Sequence, residues 1–327
     1  MKNLHIFILI ILFFCSPVNL AGAADIAPPD ELNGDLKLIL GTIDGEIGIA
    51  VYEMKTGRNF SINGDEPFFL YSMVAVPAMV TYYQMVEDSG VDPNKEIVVD
   101  KKDRVWNPTS ISLLGAGSEV DLDTLCKLMV VADDFTASNL LIQQIGLDNI
   151  NQQLQNHNIT DCEMQVNLNY NDIIRVMFGL INKIYKTYTP VEIANHIESR
   201  NLKPLPDILD QNFDGLNYAT PRAMNRLMKK IAERSVVSSI ASNRMLLLLK
   251  AQQARSGIPS MIPDNYEIAV KTSSTESVLN DSAVIYGRNC TVVITIMGKN
   301  IKEDINKLKS KYAAIASIIF DYYENDN

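Results

Sequence analysis

The sequence predicts an α+β fold: a five-stranded antiparallel sheet from both chain ends, flanked by helices and interrupted by an all-helical insertion. Three observations carry this. β-branched and aromatic runs occur near the start of the chain and again after residue 265, helical apolar spacing fills much of the interval, and an amphipathic helix closes the chain. Nothing repeats at a fixed period, which sets aside repeat architectures.

Residues 1–24 read as a signal peptide: Lys2, an apolar run from Ile6 to Phe14, then the small residues Ala21, Gly22, Ala23 and Ala24. This predicts export, with the mature protein periplasmic or secreted. No later run reaches the ~18 apolar residues of a membrane-spanning helix. One domain over 25–327 follows, with its sheet part in 25–70 and 234–327 and its helical part in 71–233. Leu32, Leu36 and Leu40 predict a first helix. Ile47 to Glu53 and Phe60 to Ile62, separated by Lys55-Thr56-Gly57-Arg58, predict a hairpin. Helical spacing then covers 74–85, 122–131, 137–145, 170–185 and 221–231. Tyr266 to Thr272, Ser282 to Tyr286 and Cys290 to Met297 read as strands, the last two joined at Gly287-Arg288-Asn289. Over 301–322, Ile305, Leu308, Tyr312, Ile315, Ile318 and Ile319 share one helical face, which should cover the sheet.

Composition narrows the function. Lys+Arg 29 against Asp+Glu 39 gives a net charge of −10, which argues against a basic nucleic-acid groove. Hydrophobic residues at 47% supply a sizeable core. After the leader only His157 and His196 remain, remote from any cysteine cluster, so neither a metal site nor a cofactor is expected. Both histidines read as surface residues. Cys126, Cys162 and Cys290 are an odd set that allows at most one internal bridge, and Cys126 reads as a buried free thiol. The acidic residues Asp121 and Asp123 read as a solvated helix face.

Ser72 opens the run Met73-Val74-Ala75-Val76-Pro77, which puts its hydroxyl at or near a helix N-terminus. There it is either a helix cap or a nucleophile facing free backbone N–H groups. Around it, Gly48 to Val80 resembles the N-terminal half of the class A serine β-lactamases and their penicillin-recognising relatives. Leu122 to Leu141 resembles the family's helix pair carrying Ser-Asp-Asn. Tyr218-Ala219-Thr220-Pro221-Arg222-Ala223-Met224 resembles a family helix start, and Val270 to Met297 the Lys-Thr-Gly strand with its hairpin. The implied fold agrees with the layout above.

The chain departs from this family at several motif positions. Ser-x-x-Lys becomes Ser72-Met73-Val74-Ala75, so Ala75 stands where the resemblance implies a lysine that helps deprotonate the serine. A serine without an adjacent base is a weak nucleophile, and lost general-base help typically costs on the order of 10²- to 10⁴-fold. Asp133-Asp134-Phe135 replaces Ser-Asp-Asn, removing a proton-relay serine and a ligand-holding asparagine. Lys271-Thr272-Ser273 replaces Lys-Thr-Gly. Strand alternation aims Ser273 to the same side as Lys271, narrowing the groove. Glu163 with Asn167 is the one pair at the spacing of the family's deacylating glutamate. Trp106 falls where the family keeps an aromatic gatekeeper.

If the fold is shared, Asp133 faces Lys271 and pairs with it, weakening the attraction of the pocket for anions. The expected site therefore comprises Ser72, Lys271 and Asp133 as chemical groups, with Thr272, Ser273, Ser274, Trp106, Phe135 and Asp134 contacting ligand. The expected protein is an exported β-lactamase-like binding homologue of little or no catalytic power, whose ligand class is a β-lactam or a peptidoglycan-derived peptide. The alternative is a re-tooled serine hydrolase: Ser72 as nucleophile, Asp133 or Lys271 as proton acceptor, and the Ser72 and Ser274 N–H groups as oxyanion hole.

Overall fold

The computed structural model describes residues 27–105, 110–163, 175, 178–180, 184, 188, 190–203 and 217–325. The signal-peptide segment 1–24 and most of the helix expected over 170–185 lie outside the described residues. In chain order the elements are α1 (Asp30–Leu40), β1 (Glu46–Glu53), β2 (Asn59–Ile62), β3 (Phe68–Phe69), a 3₁₀ turn (Tyr71–Val74), α2 (Ala75–Glu87), β4 (Glu96–Val98), β5 (Glu119–Asp121), α3 (Leu122–Val131), α4 (Phe135–Ile145) and α5 (Leu147–Asn156). There follow β6 (Cys162–Glu163), α6 (Pro190–Ser199), β7 (Tyr218–Ala219), α7 (Pro221–Ala232), α8 (Ser239–Lys250), a 3₁₀ turn (Ile258–Met261), β8 (Glu267–Ser274), β9 (Leu279–Tyr286), β10 (Thr291–Lys299) and α9 (Ile305–Asn325).

Five antiparallel strands run in the order β2-β1-β10-β9-β8, so β1 from one chain end pairs with β10 from the other, Glu46 opposite Lys299. Helices cover both faces. On β10 the period of two is plain: Val292, Ile294 and Ile296 join the core under α1 and α9, while Val293 and Met297 join the core of the helical half. Covering both faces explains why β9 and β10 are buried along almost their whole length and why β10 is mostly apolar rather than alternating. Asn225 on α7 ties the helical half to the sheet, donating to the carbonyls of Ala50 (2.9 Å) and Val293 (3.0 Å).

Side-chain caps set several helix starts. Asp121 accepts from Thr124 N–H, Asp134 from Ala137 N–H, Thr220 from Ala223 N–H and Ser238 from Ala241 N–H. Pro221 sits at the first position of α7, where its missing N–H costs nothing. The C-terminal helix begins at Ile305 rather than 301, because Asp304 accepts from the N–H groups of Asn306 and Lys307. Two further differences from the sequence expectation matter. α8 lies beyond residue 233, inside the segment assigned to the sheet. Short strands β3, β7 and β6 form a small sheet joining the end of the first sheet segment to the helical half, and β4 pairs with β5. No described helix is long and apolar enough to cross a membrane.

Candidate functional site

Backbone constraints bring Ser72 to the edge of the sheet. Phe68 on β3 pairs with Ala219 on β7, Leu70 N–H donates to the Asn217 carbonyl at 3.0 Å, and Asn280 on β9 holds the Phe69 carbonyl at 2.8 Å. Tyr71 then adopts φ +45, a left-handed conformation uncommon for a bulky side chain and typical of strained functional segments. Ser72 follows inside the 3₁₀ turn, only 5% exposed. The helix-cap expectation is corrected here: neither the turn nor α2 has a side-chain cap, because Ser72 sits one residue past the start of the turn and short of the start of α2.

The Ser72 N–H donates to Ser273 Oγ at 3.1 Å. Ser273, 2% exposed, occupies the space that alternation assigned to it. One turn after Ser72, Ala75 is the first residue of α2 and is packed into the apolar core of the helical half. It brings no base to the serine.

Lys271 on β8 is fully buried and its Nζ forms an ion pair with the Asp133 carboxylate, which is 30% exposed. Asp133 stands between α3 and α4 at φ +53, a conformation aspartate tolerates better than most residues. The ammonium also donates to the Thr272 carbonyl at 3.1 Å. Gln252, 2% exposed, completes its shell. The surrounding donors and acceptors turn its carboxamide oxygen toward Lys271 Nζ (3.3 Å), while its nitrogen donates to the Val131 carbonyl (2.8 Å). Every described partner of the ammonium is thus an internal oxygen.

Tyr71 packs edge-on against Phe135, ring centroids 5.6 Å apart. Burial, and then the charge of Asp133, pushes the Tyr71 hydroxyl up to about 12, so at neutral pH it is a donor and not a base. Asp134 was expected to contact ligand. Instead it is fully buried, one oxygen accepting from Ala137 N–H (2.9 Å) and the other from Ile111 N–H (2.8 Å). Thr272 is buried and stands opposite Asp281 in the sheet register, while Ser274 is exposed at the end of β8 opposite Leu279.

Trp106 and Asn167 lie outside the described residues, as does the side chain of Glu163, whose backbone pairs with Tyr218. Cys126, Cys162 and Cys290 are buried and form no disulfide among the described residues. His157 is half-buried, its pKa lowered by burial and then by Lys230, and His196 is half-buried against Tyr188. This corrects the surface expectation for both: His157 is the C-cap of α5, and His196 lies in the last turn of α6. A cavity of about 670 Å³ lies by the start of β8, lined by Lys250, Arg255, Tyr266 and Glu267 among others, away from Ser72.

Tyr71, Gln252 and Asn280 are the site residues that sequence reasoning missed. Tyr71 adjoins Ser72, but nothing in the row marks its left-handed backbone. Gln252 lies in a polar stretch after α8 with no motif around it.

A serine at the start of a helix, set beside a lysine-bearing edge strand of an α+β scaffold, is the arrangement of the penicillin-recognising serine hydrolases. The chain belongs to the Beta-lactamase enzyme family, whose family model matches residues 31–323. Over 116 residues it is 26% identical to the β-lactamases PSE-4 and CARB-4 of Pseudomonas aeruginosa, spanning 36% of this chain and about 40% of the length of those relatives. In fold it is similar to a β-lactamase from Sphaerobacter thermophilus (TM-score 0.70, 22% identity, covering 90% of this chain and 97% of that one). It is also similar to a β-lactamase from Chitinophaga pinensis (TM-score 0.73, 16% identity, 90% and 99%) and to PBP-A (TM-score 0.71, 17% identity, 91% and 99%).

Proposed function

We propose that this protein is an exported β-lactamase homologue that binds its ligand weakly and does not form an acyl-enzyme at a useful rate. One observation carries the reading: Lys271, the cation that would draw in an anionic ligand, is fully buried and ion-paired with Asp133. A ligand carboxylate must displace an internal carboxylate to reach it, with little net electrostatic gain. Ala75 adds a kinetic reason, since the position one turn from Ser72 carries no base. The ligand class is a β-lactam or a peptide from peptidoglycan. In its favour, a fold neighbour, a variant of PBP-A, is an acyl-enzyme complex with penicillin G. Export rests on the character of residues 1–24.

Calorimetric titration with penicillin G tests the electrostatic claim. Asp133→Ser removes the competing carboxylate, so its affinity should rise by about tenfold, the equivalent of ~1.4 kcal/mol. Its melting temperature should fall, because Lys271 loses its counter-charge. Equal affinities in wild type and Asp133→Ser contradict the proposal.

A further inference from the structure

We propose that Ser273 is a specificity-determining residue whose hydroxyl occupies the Ser72 amide as an internal substitute for a ligand oxygen. The proposal rests on the non-acylating reading above and adds a barrier separate from the absent base and the neutralised lysine. The Ser72 N–H is directed at Ser273 Oγ, 3.1 Å away, and both residues are buried. A carbonyl or oxyanion oxygen bound through this N–H has to take the place of that hydroxyl. Displacement exchanges one hydrogen bond for another and leaves the Ser273 hydroxyl to find a new partner within a buried groove. An amide donor that must first be vacated contributes little to charge developing on a ligand, whereas one held open and pre-aimed contributes strongly.

The rest of the strand shows why this residue decides the matter. Alternation puts Lys271 and Ser273 on the same side of β8, so one side chain closes the cation and the next closes the amide. Both closures are made by the protein's own atoms. Asp133 covers the ammonium from the helical half, and Ser273 covers the N–H from the sheet.

Phenylboronic acid tests this without requiring an acyl transfer. Its boron forms a bond to Ser72 Oγ, the hydroxyl proton leaves to solvent, and the resulting tetrahedral boronate carries a negative charge on oxygens that need an N–H donor. Its dissociation constant should be measured for wild type, Ser273→Ala, Ser273→Gly, and Ser72→Ala with Ser273→Gly, with circular dichroism establishing that each is folded. Both single variants at position 273 should bind roughly tenfold tighter than wild type, reflecting an oxyanion donor set free. The gain should vanish in the double variant. Unchanged affinity in Ser273→Ala and Ser273→Gly overturns the proposal. A gain confined to Ser273→Gly also overturns it, since bulk rather than the hydrogen bond is then the barrier. A penicillin adduct on the wild-type protein would instead overturn the non-acylating reading on which the proposal rests, so the two failures are distinguishable.

Discussion

Asp281 is a fully buried carboxyl group on β9, with Oδ2 accepting the N–H of Ile258 at 3.0 Å and Oδ1 without a partner among the described residues. Gly257 makes the contact feasible: at φ +82, a β-carbon there would lie 2.0 Å from Oδ2. Burial pushes Asp281 up from its ordinary 3.8 to about 7, against the weaker opposing effects of the Ile258 N–H, Lys309 and Lys271. The folded state therefore holds a proton that the unfolded chain releases. The associated stability is complete below about pH 4 and is lost as pH rises through about 7. Asp281→Asn should flatten the fall in melting temperature between those limits and raise the melting temperature at pH 8 by a few degrees. Parallel melting curves for wild type and Asp281→Asn across this range would contradict it. At the same scale, Ser72, Lys271, Asp133 and Ser273 were picked out by resemblance to the family's motifs, and strand alternation added the side of β8 on which Ser273 lies. Gln252 and the left-handed Tyr71 were not, since each acquires its place only when α8 and β9 pack around the site.

Among the elements, α4 shows how one residue serves structure where its neighbour serves the site. Asp133 turns outward to Lys271, while Asp134 both caps α4 and fixes the turn at Ile111. Asp134→Ala should destabilise the fold by about 1–3 kcal/mol, from a lost cap and an unsatisfied buried N–H. Chemical denaturation measures this directly; normal stability with lost ligand binding would instead return Asp134 to the ligand-contacting set. Apolar residues at helical spacing made α3, α4 and α7 readable. α8 was not, because Leu246 to Leu249 are four consecutive leucines and define no period. The two-residue strands β3, β6 and β7 are too short to show one.

Across the whole molecule, the two halves meet where the site lies, and the contacts closing it come from both. Asp133 belongs to the helical half, Lys271 and Ser273 to the sheet, and Ser72 to the turn between β3 and α2. The α+β layout was legible because β-branched runs at the two chain ends must pair with each other to bury both faces. What the row did not contain was the distance between those ends and the helical half. On the proposed reading, Ser72 is present but disarmed by its surroundings. Intact mass spectrometry of the folded protein after incubation with penicillin G, with Ser72→Ala alongside, tests it most directly. The structure predicts an unchanged mass for both proteins; an adduct on the wild type that is absent from Ser72→Ala would show that Ser72 is a working nucleophile and contradict the claim.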